Sequence, residues 1–160
     1  MKTLYTIKNT EEMFTLVKRL YTIEQLEKRH PEGNALQHTL QVVDWAFRES
    51  KDLDLIEAAL LHDVGKYFSR KGHAIIGAEE IEDLVSYKTC WLVRNHMNIM
   101  YYLEGQIQKT PEIDPLINHP YFTAGVQLYR WDKLGRNKNV HLIYNNIELI
   151  NKLNNKVVRN

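Results

Sequence analysis

Apolar and polar positions follow a helical repeat over most of the chain. Apolar residues recur three or four positions apart between Met13 and Leu20, and again from Ala35 to Glu49. Residues 1–8 are expected to be extended or frayed. No run alternates apolar and polar residues as a half-buried strand would. The pattern therefore predicts an all-α protein with further helices over 52–63, 73–85, 89–97, 121–134 and 140–153.

The segment Ala35–Glu49 is apolar around most of its circumference, which predicts a central helix. His38 lies inside this apolar surface. One stripe of the helix consists of Leu36, Leu40, Val43 and Phe47, and the neighbouring stripe of Ala35, His38, Val42 and Trp45.

A second histidine follows an apolar run directly. Ala58-Ala59-Leu60-Leu61 precedes His62 and Asp63, and Val64-Gly65-Lys66 comes next. A buried imidazole and a buried carboxylate must each find a polar partner, and a metal ion would partner both. Gly65 stands where a C-cap glycine usually ends a helix.

Several histidines and acids lie on or just beyond the apolar helices. Because they come from different segments, facing helices would bring them together at an interior metal site. Imidazoles and carboxylates suit Mn, Fe, Co, Ni or Zn, and Mg when water completes the shell. His30, His119 and His141 are instead expected at the surface. The candidate set is His38, His62, Asp63, His73, His96 and Asp132.

Composition narrows the class of protein. The 160 residues suit a single domain over 1–160, and a net charge of +1 provides no strong attraction to nucleic acid or membranes. A single cysteine, Cys90, excludes an internal disulfide. Since no apolar stretch approaches the length of a membrane span, we expect a cytoplasmic protein. Nothing in the sequence indicates an oligomeric state.

The order His38, His62-Asp63, Asp132 on an all-α chain resembles the HD superfamily of metal-dependent phosphohydrolases. The resemblance covers about 34–136 and implies an HD-domain helical bundle, with N- and C-terminal helices packed on this core. The segment His-Asp-Val-Gly-Lys is similar to HD-x-G-K, the extended form of the HD motif. The HD domain attached to bacterial tRNA nucleotidyltransferases is similar in Arg94-Asn95-His96-Met97 and in Trp131-Asp132-Lys133-Leu134-Gly135-Arg136.

The resemblance also implies roles for individual residues. His73 and His96 would hold a second metal bridged by Asp63, or would bind substrate, so that one or two ions are expected per chain. Asp63 and Lys66 would be catalytic, and Lys66 with Arg70 would contact the substrate phosphate. The first metal would be held by His38, His62, Asp63 and Asp132.

The implied activity is hydrolysis of a phosphomonoester or a 2′,3′-cyclic phosphodiester, with a small nucleotide or an RNA end as substrate. A signature for cyclic-di-GMP cleavage is absent. Two alternatives stay open. One is a nucleoside-triphosphate hydrolase, and the other is a non-catalytic sensor module that binds a metal and a nucleotide.

Overall fold

The computed structural model describes the backbone of residues 7–159 and the side chains of residues 10–156. Within that range the only β pairing is an isolated bridge between Glu24 and Asn34, so the predicted all-α fold is confirmed. Two 3₁₀ turns occupy Arg19–Thr22 and Val64–Tyr67. The α-helices are α1 (Ile7–Lys18), α2 (Ala35–Glu49), α3 (Leu53–Leu61), α4 (His73–Ile81), α5 (Tyr87–Leu103), α6 (Asp114–Ile117), α7 (Phe122–Leu134) and α8 (Asn146–Arg159).

Helix α2 is the centre of the bundle and has the predicted bounds. It begins where the Asn34 side chain accepts a hydrogen bond from the amide of Gln37, an ordinary N-cap. Most of its residues are buried, and it packs against both α3 and α7. The near-continuous apolar surface noted in the sequence therefore reflects contacts on more than one side.

Gly65 is required by close packing and does not serve as a helix cap. Helix α3 ends at Leu61, and the φ angle of Gly65 is not positive. A Cβ atom at Gly65 would overlap the carbonyl oxygen of His73 and lie 2.7 Å from the amide nitrogen of Gly77. The glycine thus lets the first turn of α4 pass directly over the end of α3, which brings His73 beside Asp63.

The bounds of α4 and α5 differ from those predicted. Helix α4 ends at Ile81, four residues before the predicted end. Helix α5 starts earlier, because the Ser86 side chain accepts a hydrogen bond from the amide of Thr89, and it continues to Leu103. The C-terminal end of α5 therefore lies about two turns beyond His96, whereas the sequence predicted the helix to end near Met97.

The last helix begins later than predicted, at Asn146 rather than near 140. Side chains of α2 hold the preceding segment in a non-helical course. Gln41 Nε2 donates to the carbonyls of Asn137 and Val140. Gln37 both donates to the carbonyl and accepts from the amide of Leu142. These contacts occupy backbone groups that a longer helix would need.

The buried face of α8 also differs from the prediction. Ile143 and Ile147 were expected to pack with Ile150, but they are 84% and 58% exposed. The later start removes Ile143 from the helix and rotates the buried face toward Leu149, Ile150 and Leu153.

Residues 1–6 of the segment expected to be extended or frayed lie outside the described residues, and Ile7 and Lys8 belong to α1. In the described part of the chain, none of the helices combines the length and the hydropathy needed to cross a membrane.

Glu57, on α3, carries a buried carboxyl that makes the stability of the fold depend on pH. Burial raises the pKa of Glu57 from 4.5 to about 7, against an opposing hydrogen bond with Thr89. The folded state therefore holds this proton more tightly than the unfolded chain does. The unfolding free energy is highest below the unfolded pKa and falls as the pH rises toward 7.

We expect Glu57→Gln to raise the unfolding free energy at pH 8 by up to about 3 kcal/mol, with a much smaller gain at pH 5. Urea unfolding at the two pH values measures the difference. Glu79→Gln, which alters an exposed carboxyl on α4, serves as the control. An equal gain at both pH values would contradict the assignment to the Glu57 proton.

Candidate metal centre

The candidate residues predicted from the sequence converge at one place inside the bundle. Helices α2, α4, α5 and α7 each contribute one of them, and the end of α3 contributes two. All of them are buried, the most exposed at 8%. They are His38, His62, Asp63, His73, His96 and Asp132.

One group of side chains surrounds the carboxylate of Asp132. Its Oδ1 lies 2.7 Å from His38 Nε2 and 3.8 Å from His62 Nε2. Asp63 also belongs to this group, because its Oδ2 lies 3.3 Å from His62 Nε2 and 3.8 Å from His38 Nε2. This is the set predicted for a first metal.

A second group lies on the other side of Asp63. Asp63 Oδ1 is 3.2 Å from His73 Nε2 and 3.7 Å from His96 Nε2. The two Nε2 atoms of these histidines are 3.2 Å apart. The carboxylate of Asp63 thus presents one oxygen to each group, which is the arrangement a bridging ligand needs.

The outer ring nitrogens of the histidines are all engaged. His62, His73 and His96 each pair Nδ1 with the backbone carbonyl three residues earlier, at 2.7–2.9 Å. His38 instead pairs Nδ1 with the carbonyl of Gly135, at 2.9 Å. A proton on Nδ1 leaves the Nε2 lone pair of each ring directed at the carboxylates, as in histidines that ligate metals.

The residues fit a bound cation. With Nδ1 donating in both rings, His73 and His96 bring two Nε2 lone pairs to 3.2 Å, a contact that a positive charge would stabilise. Among the described side chains, buried His62 Nε2 has no partner in hydrogen-bond geometry, and buried Asp63 Oδ2 has only charge contacts, to Lys66 at 2.9 Å and to His62 at 3.3 Å. Imidazole nitrogens and carboxylate oxygens are the donors that divalent transition metals prefer.

Charge interactions between the cationic side chains and the two carboxylates shift the pKa values at the centre. Burial alone would lower the pKa of His38, but hydrogen bonds to Asp132 and Glu32 raise it to about 9. Burial would raise the pKa of Asp63, but the charges of His62 and Lys66 hold it well below its usual range. The pKa of Asp132 is likewise lowered, since its hydrogen bond and charge interaction with His38 outweigh burial.

The centre opens into a pocket of about 560 Å³, a size typical of small-molecule sites. Asp63, His73 and Asp132 reach the pocket from the metal centre. Basic residues and one face of α5 form much of the remaining lining. The basic residues are Arg29, Lys66, Lys133 and Arg136, and the α5 residues are Met97, Met100 and Tyr101.

The two predicted phosphate-binding cations have different positions. Lys66 lines the pocket, with Nζ 2.9 Å from Asp63 Oδ2 and 2.8 Å from Gln25 Oε1. Arg70 is exposed and does not line it, because its guanidinium donates to the carbonyl of Glu24. The structure therefore brings Lys66 to the centre but not Arg70.

His30 was expected at the surface, but it lines the pocket. Its side chain is only 13% exposed, and Nδ1 lies 3.0 Å from Glu32 Oε1. The same Glu32 oxygen lies 2.9 Å from His38 Nδ1. No periodic pattern could reveal these residues, because they lie in a loop whose course depends on tertiary contacts.

The geometry agrees with a comparison against protein families. The family model described as HD domain matches residues 35–135, which is more than half of the chain and includes all six converging residues. The chain belongs to the HD domain family. This family is part of a superfamily of metal-dependent phosphohydrolases, and HD domains bind divalent metal ions.

Similar curated proteins are much longer than this HD domain. A multifunctional CCA protein of Methylococcus capsulatus is 33% identical over 81 residues, covering 46% of this chain and 19% of that protein. Multifunctional CCA proteins of Actinobacillus pleuropneumoniae serotypes 5b and 7 are 34% identical over 83 residues, covering 45% of this chain and 20% of theirs. The matched region thus spans about a fifth of these relatives.

His96→Ala tests whether the second group holds its own ion. If His96 is a ligand, the variant should lose about one bound metal per chain while the group around Asp132 keeps its ion. Elemental analysis after dialysis against Mn²⁺ measures the stoichiometry, and His119→Ala, outside the centre, is the control. Full metal content combined with weaker phosphate binding would instead make His96 a substrate contact.

Proposed function

We propose that this HD domain hydrolyses a phosphoester of a small nucleotide or of an RNA end, as a phosphomonoester or a 2′,3′-cyclic phosphodiester. The carrying observation is the combination of six metal-ligand groups with an open pocket that has cationic side chains at its wall. Asp63, His73 and Asp132 line this pocket, which would give substrate and water a route to the ligand groups.

The residues divide into two tasks. His38, His62, Asp63 and Asp132 would hold one ion, and His73 and His96 with Asp63 would hold another. Bound ions supply Lewis-acid stabilisation of phosphoryl oxygens and a nucleophile near neutral pH. Lys66 and Arg136 place positive charge beside the carboxylates, where they would neutralise the non-bridging oxygens of a phosphoester.

One wall of the pocket suits the organic part of a nucleotide. Met97, Met100 and Tyr101 follow one another along α5 and form an apolar and aromatic surface beyond His96. Aromatic and thioether side chains bind the flat face of a base without requiring one particular base. This wall supports a nucleoside or nucleotide ligand over free inorganic phosphate.

The charge balance of the pocket favours a single phosphate over a triphosphate. Lys133 pairs with Glu104 at 3.2 Å, and Arg136 lies 3.6 Å from Asp132. Arg29 is exposed, which leaves Lys66 as the most enclosed lysine or arginine at the centre. A triphosphate would need more unpaired cations than this wall provides, so triphosphate hydrolysis is the second candidate. The names of the similar multifunctional CCA proteins support an RNA-related substrate.

A panel assay tests the proposal. The purified protein is incubated with Mn²⁺, Ni²⁺ or Mg²⁺ and with nucleoside mono-, di- and triphosphates, 2′,3′-cyclic nucleotides and 3′-phosphorylated oligonucleotides. We expect hydrolysis that a chelator abolishes, with monoesters or cyclic phosphates preferred. Preference for triphosphates would establish the second candidate. Tight binding without turnover would replace the enzyme by a metal- and nucleotide-binding sensor. The cytoplasmic location expected from the sequence stays a prediction.

A further inference from the structure

The loop between the Arg19–Thr22 turn and α2 is closed at its base. Glu24 and Asn34 form the isolated β bridge, and the amide of Ala35 donates to the carbonyl of Ile23 at 2.8 Å. The ends of residues 24–34 therefore lie together, and the residues between them fold back over the metal centre. This loop, which we call the 24–34 loop, carries Glu32 to the interior.

Glu32 occupies an unusual position for a carboxylate. Its side chain is 0% exposed, and the charged or polar side chains near its Oε1 are His38 at 2.9 Å and His30 at 3.0 Å. Its other oxygen, Oε2, is buried without a hydrogen-bond partner among the described residues. Burying a carboxylate is costly, so the position requires strong interactions with the two imidazoles.

The ring orientation of His38 depends on the 24–34 loop, whereas the rings of the other histidines of the centre are oriented by their own helices or turns. His62, His73 and His96 each pair Nδ1 with a carbonyl one turn earlier, so local backbone orients their rings. Among the described residues, His38 Nδ1 has no such contact with the preceding turn of α2. Its Nδ1 lies 2.9 Å from the carbonyl of Gly135 and 2.9 Å from Oε1 of Glu32, and neither group belongs to α2.

We infer that Glu32 is a positioning residue of the metal centre, which keeps the proton of His38 on Nδ1 and so directs the Nε2 lone pair of His38 toward a bound ion. A carboxylate behind a ligating imidazole orients the ring and increases its basicity, and losing such a partner typically lowers metal affinity by about 10- to 100-fold. The inference rests on the metal binding within the proposed function and does not require hydrolysis.

Two variants of Glu32 separate its charge from its shape. Glu32→Ala removes both contacts, whereas Glu32→Gln keeps an oxygen that can accept from His38 Nδ1 but lacks the charge. Glu27→Ala and Glu27→Gln are the matched controls, because Glu27 is an exposed glutamate on the same loop. Calorimetric titration with Mn²⁺ alone measures affinity, and circular dichroism confirms folding.

We expect Glu32→Ala to weaken Mn²⁺ binding by about 10- to 100-fold, and Glu32→Gln to recover part of the loss. The Glu27 variants should bind like the wild type. Nitrogen-15 NMR of the His38 ring in protein loaded with Zn²⁺, which is diamagnetic, should show a protonated Nδ1 and a metal-bound Nε2 in the wild type. In Glu32→Ala part of the molecules should lose this state, a change that loosening of the loop elsewhere would not produce.

Unchanged Mn²⁺ affinity in Glu32→Gln and Glu32→Ala would overturn the inference and leave the proposed function intact. Equal losses in the Glu27 and Glu32 variants would also overturn it, because the loop as a whole would then be responsible. If Glu32→Ala does not fold, Glu32→Gln still decides the question, since it preserves side-chain volume. A wild type that binds Mn²⁺ yet hydrolyses no phosphoester contradicts the proposed function alone.

Discussion

Replacing Asp63 by asparagine is expected to lower the turnover of nucleotide phosphoesters by about 100-fold or more, the scale observed when a charged group is removed from an active site. Asp63 Oδ2 faces His62 and Oδ1 faces His73, so this carboxylate serves both groups of ligands. An amide would present one oxygen and one NH₂ group, and it would lack the charge that two cations require. Lys66 would also lose its anionic partner at 2.9 Å.

Steady-state hydrolysis and metal content should be measured together on the Asp63→Asn protein. The substitution leaves no cavity, so circular dichroism should match the wild type. Asp83→Asn makes the same chemical change on an exposed carboxylate and should keep full turnover. Turnover within about threefold of the wild type in Asp63→Asn would exclude the proposed role, since removal of such groups costs far more.

The fold was predictable because helical periodicity reports local geometry. In α2, apolar residues lie on two adjacent stripes, and the structure buries both. The same periodicity located His38 on an apolar surface, and His62-Asp63 at the end of the apolar α3. Candidate ligands on buried helix faces can be proposed from a single sequence, because such faces must meet in a common core.

The features that the sequence predicted wrongly, or did not predict, depend on contacts between residues far apart in the chain. Gln37 and Gln41 of α2 hold residues 137–142 out of a helix, and no local pattern near residue 140 reveals this. Gly65 has the spacing of a helix cap but is required by the approach of α4. Each of these features is set by a neighbour many positions away in the sequence.

The 24–34 loop is a part of the site that the sequence pattern could not reveal. Glu32 and His30 follow no helical repeat, and only the closure of the loop brings them behind His38. Arg70 shows the reverse case. Its position next to the motif suggested a phosphate contact, but its guanidinium donates to the backbone carbonyl of Glu24 in the loop. Proximity in sequence therefore brought Lys66 to the pocket but not Arg70, since long side chains can reach in several directions.

Divalent metal is expected to stabilise the protein strongly against heat. An ion that binds only the folded state adds about 4 kcal/mol to the unfolding free energy when its concentration is 1,000 times the dissociation constant. For a domain of this size, each kcal/mol shifts the melting temperature by roughly 2–4 °C, so a shift of about 10 °C is expected. A bound ion would supply positive charge to ligand groups that lie close together, such as His73 Nε2 and His96 Nε2 at 3.2 Å.

Thermal denaturation of chelator-treated protein, with and without added Mn²⁺, measures this shift. Asp63→Asn should lose most of it, because both ligand groups share that carboxylate, whereas Asp83→Asn should retain it in full. An equal shift in Asp63→Asn and wild type would show that Mn²⁺ acts elsewhere on the protein. No shift in the wild type at millimolar Mn²⁺, Ni²⁺ or Mg²⁺ would contradict tight binding of any of these ions at the centre. Because the measurement requires no substrate, it tests the metal centre separately from the proposed hydrolysis.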